Sequence, residues 1–140
     1  MLRGLKGERV LMRIHIGERD RYRGKPLYEA LVKLLHDRGY AGATVFRGVM
    51  GFGASGRLSA DHMELLAFDL PLVIECVETQ ENIETILPEI DEMIDAGLIT
   101  LERAKVILYR GKRDAAPVQS LPDEARLDIT GDWQTQSGGK

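Results

Sequence analysis

With 140 residues, 44% of them apolar, the chain has the material for one domain with a buried core, and its composition excludes disordered, collagen-like and low-complexity classes. A formal net charge of −3 argues against a duplex-binding surface, which usually comes with an overall basic balance, and no run of about 18 apolar residues is present to span a membrane. The single cysteine, Cys76, allows no intramolecular disulfide and no multi-cysteine zinc site.

The stretch Met1 to Gly7 lacks the apolar core of a signal peptide, so a soluble, cytoplasmic domain is expected. Glu8 to Ile16 alternates, with Val10, Met12, Ile14 and Ile16 on one face and Leu11, Arg13 and His15 on the other, which predicts a strand. Gly17 to Lys25 is too polar for a core element and reads as a loop. Pro26 then suits the first turn of a helix whose apolar stripe is Leu27, Ala30, Leu31, Leu34 and Leu35, ended by Gly39. Ala43 to Val49 is the second strand, with Gly48 inside it suggesting a bulge. The glycine-rich Gly51 to Arg57 leads into a mixed stretch ending at Leu70, and Leu72 to Val77 is the third strand. Thr79 is a good N-cap for a second helix with the stripe Ile83, Ile86, Leu87, Ile90, Met93 and Ile94. Pro88 should kink that helix and Gly97 should cap its end. A turn-like segment from Leu98 to Arg103 precedes a last strand, Lys105 to Tyr109. Apolar periodicity stops there, giving a domain over residues 1–113 and a polar tail over 114–140.

The order strand–helix–strand, taken twice, predicts an α+β, ferredoxin-like βαββαβ fold: a four-stranded antiparallel sheet with two helices on one face. The other face, with candidates such as Leu11, Phe46, Val73 and Val77, is too apolar to be left bare, so a second subunit should cover it. The first and third strands are neighbours in this order, so Arg13 and Glu75 either pair on that face or point separately to solvent.

Charge is unevenly spread. Residues 1–25 carry eight bases against Glu8, Glu18 and Asp20, while twelve acids and no base lie between Arg57 and Arg103. Local basic clusters of this kind suit a small anion, and solvated faces explain them as simply. Gly51, Gly53 and Gly56 would let backbone N–H groups approach an anion, or form a mobile hairpin; the segment is neither a Walker loop nor a dinucleotide fingerprint. His15, His36 and His62 do not have metal-cluster spacing, and neither a nucleophile elbow nor a Cys/His pair is visible, so no catalytic or metal residues are assigned. The first and third strands lack the stacking aromatics that RNA recognition on this topology needs, so no nucleic-acid partner is expected.

Three segments resemble the PII signal-transduction family: Gly42-Ala43-Thr44-Val45, Gly51-Phe52-Gly53 and Asp69 to Glu75. The chain is most similar to an uncharacterised PII-like branch, domain-of-unknown-function family number 190. That likeness runs through Gly24 to Ala30, Gly42 to Val45 with Arg47-Gly48, Gly51 to Gly53 and Leu87 to Met93, covering about residues 8–110. The resemblance implies a non-catalytic sensor, a homotrimer binding an adenine nucleotide (AMP, ADP or ATP) in clefts between subunits. It also hints at a membrane channel or transporter as partner, since genes of this branch commonly stand beside fluoride-channel genes.

Carried over by position, Gly42 and Thr44 would lie against the nucleotide, and Gly51, Phe52 and Gly53 would form the base of a loop folding over the phosphates. Lys105 matches a phosphate-binding lysine at the start of a late strand, while Arg110 and Arg113 only loosely echo a late arginine pair. Arg57, Arg103 and Arg110 flank these elements, and Arg13, Phe46, Val73 and Glu75 are the expected trimer-interface residues. Leu101 to Ala104 replace the glycine-rich turn of PII, and the loop from Ala54 to Leu70 has no tyrosine for uridylylation. Two further readings are an ion-binding trimer resembling the divalent-cation-tolerance proteins and a weak nucleotide hydrolase. The loop over 54–70, unusually apolar, either packs as a short helix or docks on a partner. The tail either covers a cleft or hangs free.

Overall fold

The structure, a computed structural model, describes residues 6–53, 56, 58–60 and 69–110. Most of the 54–70 loop, Arg57 with it, and everything from residue 111 on, the 114–140 tail included, lie outside the described residues.

Strand β1 (Gly7–Gly17) is followed by a small hairpin, β2 (Arg21–Tyr22) and β3 (Lys25–Pro26), and then by helix α1 (Leu27–Asp37). Next come β4 (Thr44–Arg47), a second ribbon of β5 (Met50–Gly51) and β6 (Ser59–Ala60), and β7 (Pro71–Glu78). Helix α2 (Gln80–Met93) and β8 (Leu98–Val106) complete the order. The four long strands form one sheet in the order β4-β7-β1-β8, with every neighbouring pair antiparallel. This is the ferredoxin-like arrangement expected from the alternation of elements.

The core lies between the sheet and the helices. Met12, Ile14 and Ile16 of β1 and Leu72, Ile74 and Cys76 of β7 pack against Leu27, Leu31 and Leu35 of α1 and Ile83, Ile86 and Ile90 of α2. The period of two on the strands and of three to four on the helices brings these side chains together. The Thr79 hydroxyl accepts from the Asn82 N–H at 3.2 Å and caps α2, which continues through Pro88 to Met93 as one helix.

Three local expectations are corrected. Leu98 to Arg103 is not a turn: it is the first part of β8, paired with β1 from Leu98↔His15 to Val106↔Gly7. The edge position explains the misreading, since β8 shows mixed exposure along its length instead of a clean alternation. Gly97 does not cap α2, whose C-cap is Ile94. A side chain at Gly97 would put its Cβ 2.7 Å from the His15 carbonyl, so this glycine allows the start of β8 to approach β1. Gly48 follows the end of β4 instead of bulging within it. Its N–H donates to the Pro71 carbonyl at 2.7 Å, and a Cβ there would come within 2.6 Å of the Pro71 ring.

Candidate functional site

The sheet face away from the helices carries Thr44 and Phe46 of β4, Val73, Glu75 and Val77 of β7, Leu11, Arg13 and His15 of β1, and Leu98 and Thr100 of β8, as the register and the alternation require. Phe46 and Leu98 are half exposed on it, at 50% and 55%. Arg13 and Glu75 stand opposite each other and do pair, Nε to Oε1 at 2.8 Å, and a second nitrogen of Arg13 reaches Glu102 at 2.7 Å. These carboxylates raise the Arg13 pKa, with the Glu75 hydrogen bond the largest cause. Arg13, Phe46, Val73 and Glu75, the expected interface set, therefore share one face.

Two clefts open at the two ends of the strands. The first, of about 430 Å³, is lined by Ala41, Gly42, Ala43 and Thr44 on one side and Val106, Leu108 and Tyr109 on the other, with Leu11, Glu75 and Val77 in its lining as well. Beyond β8 the chain reaches back toward the α1–β4 turn, where the Tyr109 hydroxyl donates to the Ala41 carbonyl at 3.1 Å. The cleft offers an apolar lining with three polar groups: the Thr44 hydroxyl, the Glu75 carboxylate and the Tyr109 phenol. A flat, mostly apolar ring with polar edges fits such a slot.

Gly42 meets nothing within 4 Å of an added Cβ, and its φ is not in the left-handed region. Nothing inside the protomer requires glycine there. Cys76 also lines this cleft, but burial together with nearby Glu78 pushes its thiol up to about 12, so it is no nucleophile at neutral pH.

The second cleft, of about 470 Å³, lies at the far end of the sheet. Gly51, Phe52 and Gly53 line it with Gly17, Asp20, Asp69 and Gly97. The Asp20 carboxylate accepts from the Gly17 N–H at 2.9 Å and the Asp69 carboxylate from the Arg19 N–H at 3.0 Å. A Cβ on Gly17 would stand 2.6 Å from an Asp69 oxygen, so a side chain there would displace the Asp69 carboxylate. Gly51 packs against the Pro71 ring, whereas Gly53 has open space around it.

The expected nucleotide residues thus fall into two groups. Gly42, Thr44 and Arg110 are at one end of the sheet, and Gly51, Phe52 and Gly53 at the other. On β7, Glu75 opposite Thr44 and Pro71 beside Gly51 are four residues apart, about 13 Å of strand. Lys105 does not begin the last strand: it stands next to the last residue of β8, opposite Glu8, at the end remote from the glycine turn. Lys105 and Arg103 alternate onto the helix side of β8, away from Thr44. Among the described residues, no group of three or more His, Cys, Asp and Glu side chains is placed to hold a metal ion. Nor is any helix among them long and apolar enough to cross a membrane.

One residue with a direct hold on the first cleft escapes sequence reading. Glu78 is 6% exposed, and its carboxylate accepts from the Thr79 N–H at 2.9 Å, the Asn82 amide at 3.0 Å and the Ala41 N–H at 3.4 Å. A charged residue at the end of a strand reads as solvated; only the fold reveals that it reaches back to Ala41.

Residues 9–106 match the model of DUF190, described as an uncharacterized ACR. The UPF0166 protein MJ1524 of Methanocaldococcus jannaschii is 36% identical over 103 residues, 73% of this chain and 93% of that protein. A UPF0166 protein of Aquifex aeolicus is 37% identical over 100 residues, covering 71% of this chain and 94% of its own length. Among solved structures, CPII of Thiomonas intermedia K12, a nitrogen regulatory PII-like protein bound to ADP, AMP and bicarbonate, aligns at a TM-score of 0.49 and 17% identity, over 71% of this chain and 88% of its own.

Proposed function

The chain belongs to the DUF190 family, and from that premise we propose that it is a non-catalytic regulatory module that takes an adenine nucleotide between the subunits of a homotrimer. The observation that carries the reading is the division of the candidate site into two halves. An apolar slot with the Thr44 hydroxyl stands toward one end of the sheet, opposite Glu75, and a glycine turn at the other, beside Pro71, about 13 Å away along β7. A nucleotide held between subunits would take its base from the slot of one protomer and its phosphates from the glycine turn of the next. The slot suits the base, and the Gly51-Phe52-Gly53 turn, with backbone N–H groups not screened by a Cβ at Gly53, suits the phosphates.

The uncovered sheet face supports the assembly. Phe46 and Leu98 are half exposed there beside Val73, Leu11 and Val77, and packing three such faces together would remove them from water. A sensor of this kind works in the cytoplasm, where adenine nucleotides are abundant, and acts by contact with a partner such as a membrane channel or transporter.

Titration of the purified protein with AMP, ADP and ATP, followed by thermal melting, tests the reading. A nucleotide at about 100 times its dissociation constant adds roughly 2.7 kcal/mol of stability. Absence of any shift with all three at millimolar concentration would remove the chemical basis of the proposal.

A further inference from the structure

We infer that Glu78 is a positioning residue for the base slot, and that it works by holding the Ala41 N–H while Tyr109 holds the Ala41 carbonyl, which fixes the two peptide groups that flank this residue. The inference rests on the reading of that slot as a nucleotide site. It starts from a misfit in β7. Leu72, Ile74, Cys76 and Glu78 form the buried row of this strand, and Glu78 is the one charged member. An apolar side chain would fill such a place at less cost, because a buried carboxylate must be compensated by hydrogen bonds.

The compensation comes from three donors on two separate parts of the chain. The Thr79 N–H and the Asn82 amide belong to the start of α2, whose N-terminus also favours a negative charge. The third donor, the Ala41 N–H, comes from 37 residues upstream, in the turn between α1 and β4. That donor matters to the site, because Ala41, Gly42, Ala43 and Thr44 form one wall of the slot. The carbonyl of the same residue takes the hydrogen bond of Tyr109, which belongs to the opposite wall. The N–H and the carbonyl of Ala41 are thus each held by a side chain from a different element. Together the two bonds fix how far the Gly42–Thr44 wall stands from the Val106–Tyr109 wall, and hence the width presented to a flat ring.

Glu78→Gln separates this role from the capping of α2. The amide oxygen of the glutamine serves Thr79 and Asn82 as before, and its NH2 then faces the Ala41 N–H, donor against donor. The expected result is faster amide exchange at Ala41 and Gly42 and a melting temperature lower by a few degrees, with the first turn of α2 little changed. ADP affinity falls about threefold or more, because binding must then order a wall that Glu78 no longer holds. Tyr109→Phe weakens binding in the same direction, and the double variant loses less than the sum of the two, because both act on one residue, through the peptide groups on either side of it.

Unchanged exchange at Ala41–Thr44 in Glu78→Gln overturns the inference, as does faster exchange with full ADP affinity. Strict additivity of the two substitutions overturns the shared mechanism. If the unaltered protein binds no adenine nucleotide, the functional reading fails, while the exchange data still decide whether Glu78 sets the turn.

Discussion

Replacing Gly42 separates what the fold needs from what the site needs. An added Cβ at this position meets nothing within 4 Å, and the backbone is not in the left-handed region, so the protomer accommodates alanine without strain. Such a replacement narrows the unfolded ensemble and stabilises by about 0.4–1 kcal/mol. For a folded core of this size that raises the melting temperature by a few degrees, since 1 kcal/mol moves it by about 4–8 °C in domains of 60–100 residues. Gly42 is part of the slot wall, so the methyl group of Gly42→Ala, and still more the side chain of Gly42→Val, should obstruct a bound base. Saturating ADP, worth roughly 2.7 kcal/mol at 100 times its dissociation constant, should raise the melt of the unaltered protein by about 10 °C or more. The same addition should raise that of Gly42→Val by less than about a third as much. Differential scanning calorimetry with and without ADP reads both effects. A loss of more than about 1 kcal/mol in Gly42→Ala would show that the fold itself requires this glycine, and a full ADP shift in Gly42→Val would remove the slot from the site.

Gly97→Ala should behave in the opposite way, because its Cβ would stand 2.7 Å from the His15 carbonyl and 3.1 Å from the Ile94 side chain. Backbone displacement of this kind costs about 1–3 kcal/mol, read as an earlier urea midpoint at unchanged slope; an unaltered midpoint would contradict the close approach of β8 to β1. Lys105→Ala should leave ADP affinity within about twofold, since Lys105 stands at the end of β8 remote from the glycine turn and on the face away from Thr44; a loss of most of the affinity would restore it as a phosphate ligand. Stability should fall at alkaline pH. The folded Cys76 keeps its proton up to about 12 and burial raises Tyr40 as well, while in the unfolded chain the thiol ionises near its ordinary value of 9.0. The Cys76 contribution is therefore whole below pH 9 and lost between there and about 12, and Cys76→Ala should flatten this decline in a urea series across that range.

The parts of the fold legible in the sequence are those where one face meets the core. The alternation of Met12, Ile14 and Ile16 in β1, the stripe of Leu27, Leu31 and Leu35 in α1 and the Thr79 cap of α2 are local patterns with one physical solution each. The edge strand was not legible, because β8 has mixed exposure along its length and its beginning looks like a polar turn. Misreading that start also shifted Lys105 from the end of the strand to its beginning. Gly97 illustrates a second limit. A glycine a few residues beyond a helix suggests a cap, yet what it does depends on the His15 carbonyl, eighty-two positions away in the chain. Of the candidate site, the residue types in Gly42–Thr44 and Gly51–Gly53 were readable, but not that the fold sets them at opposite ends of the sheet. The hold of Glu78 on Ala41 has no local signature at all, since both partners gain meaning only when β7 and the α1–β4 turn are brought together.

Native mass spectrometry of the full chain with ADP decides whether the nucleotide sits between subunits, because it reads assembly and ligand count in one spectrum. A trimer that carries up to three nucleotides is expected, with little nucleotide on any residual monomer, since each protomer holds the two halves of the site at opposite ends of its sheet. A monomer that binds one nucleotide as tightly as the assembly, or a trimer that takes none, would contradict a site between subunits.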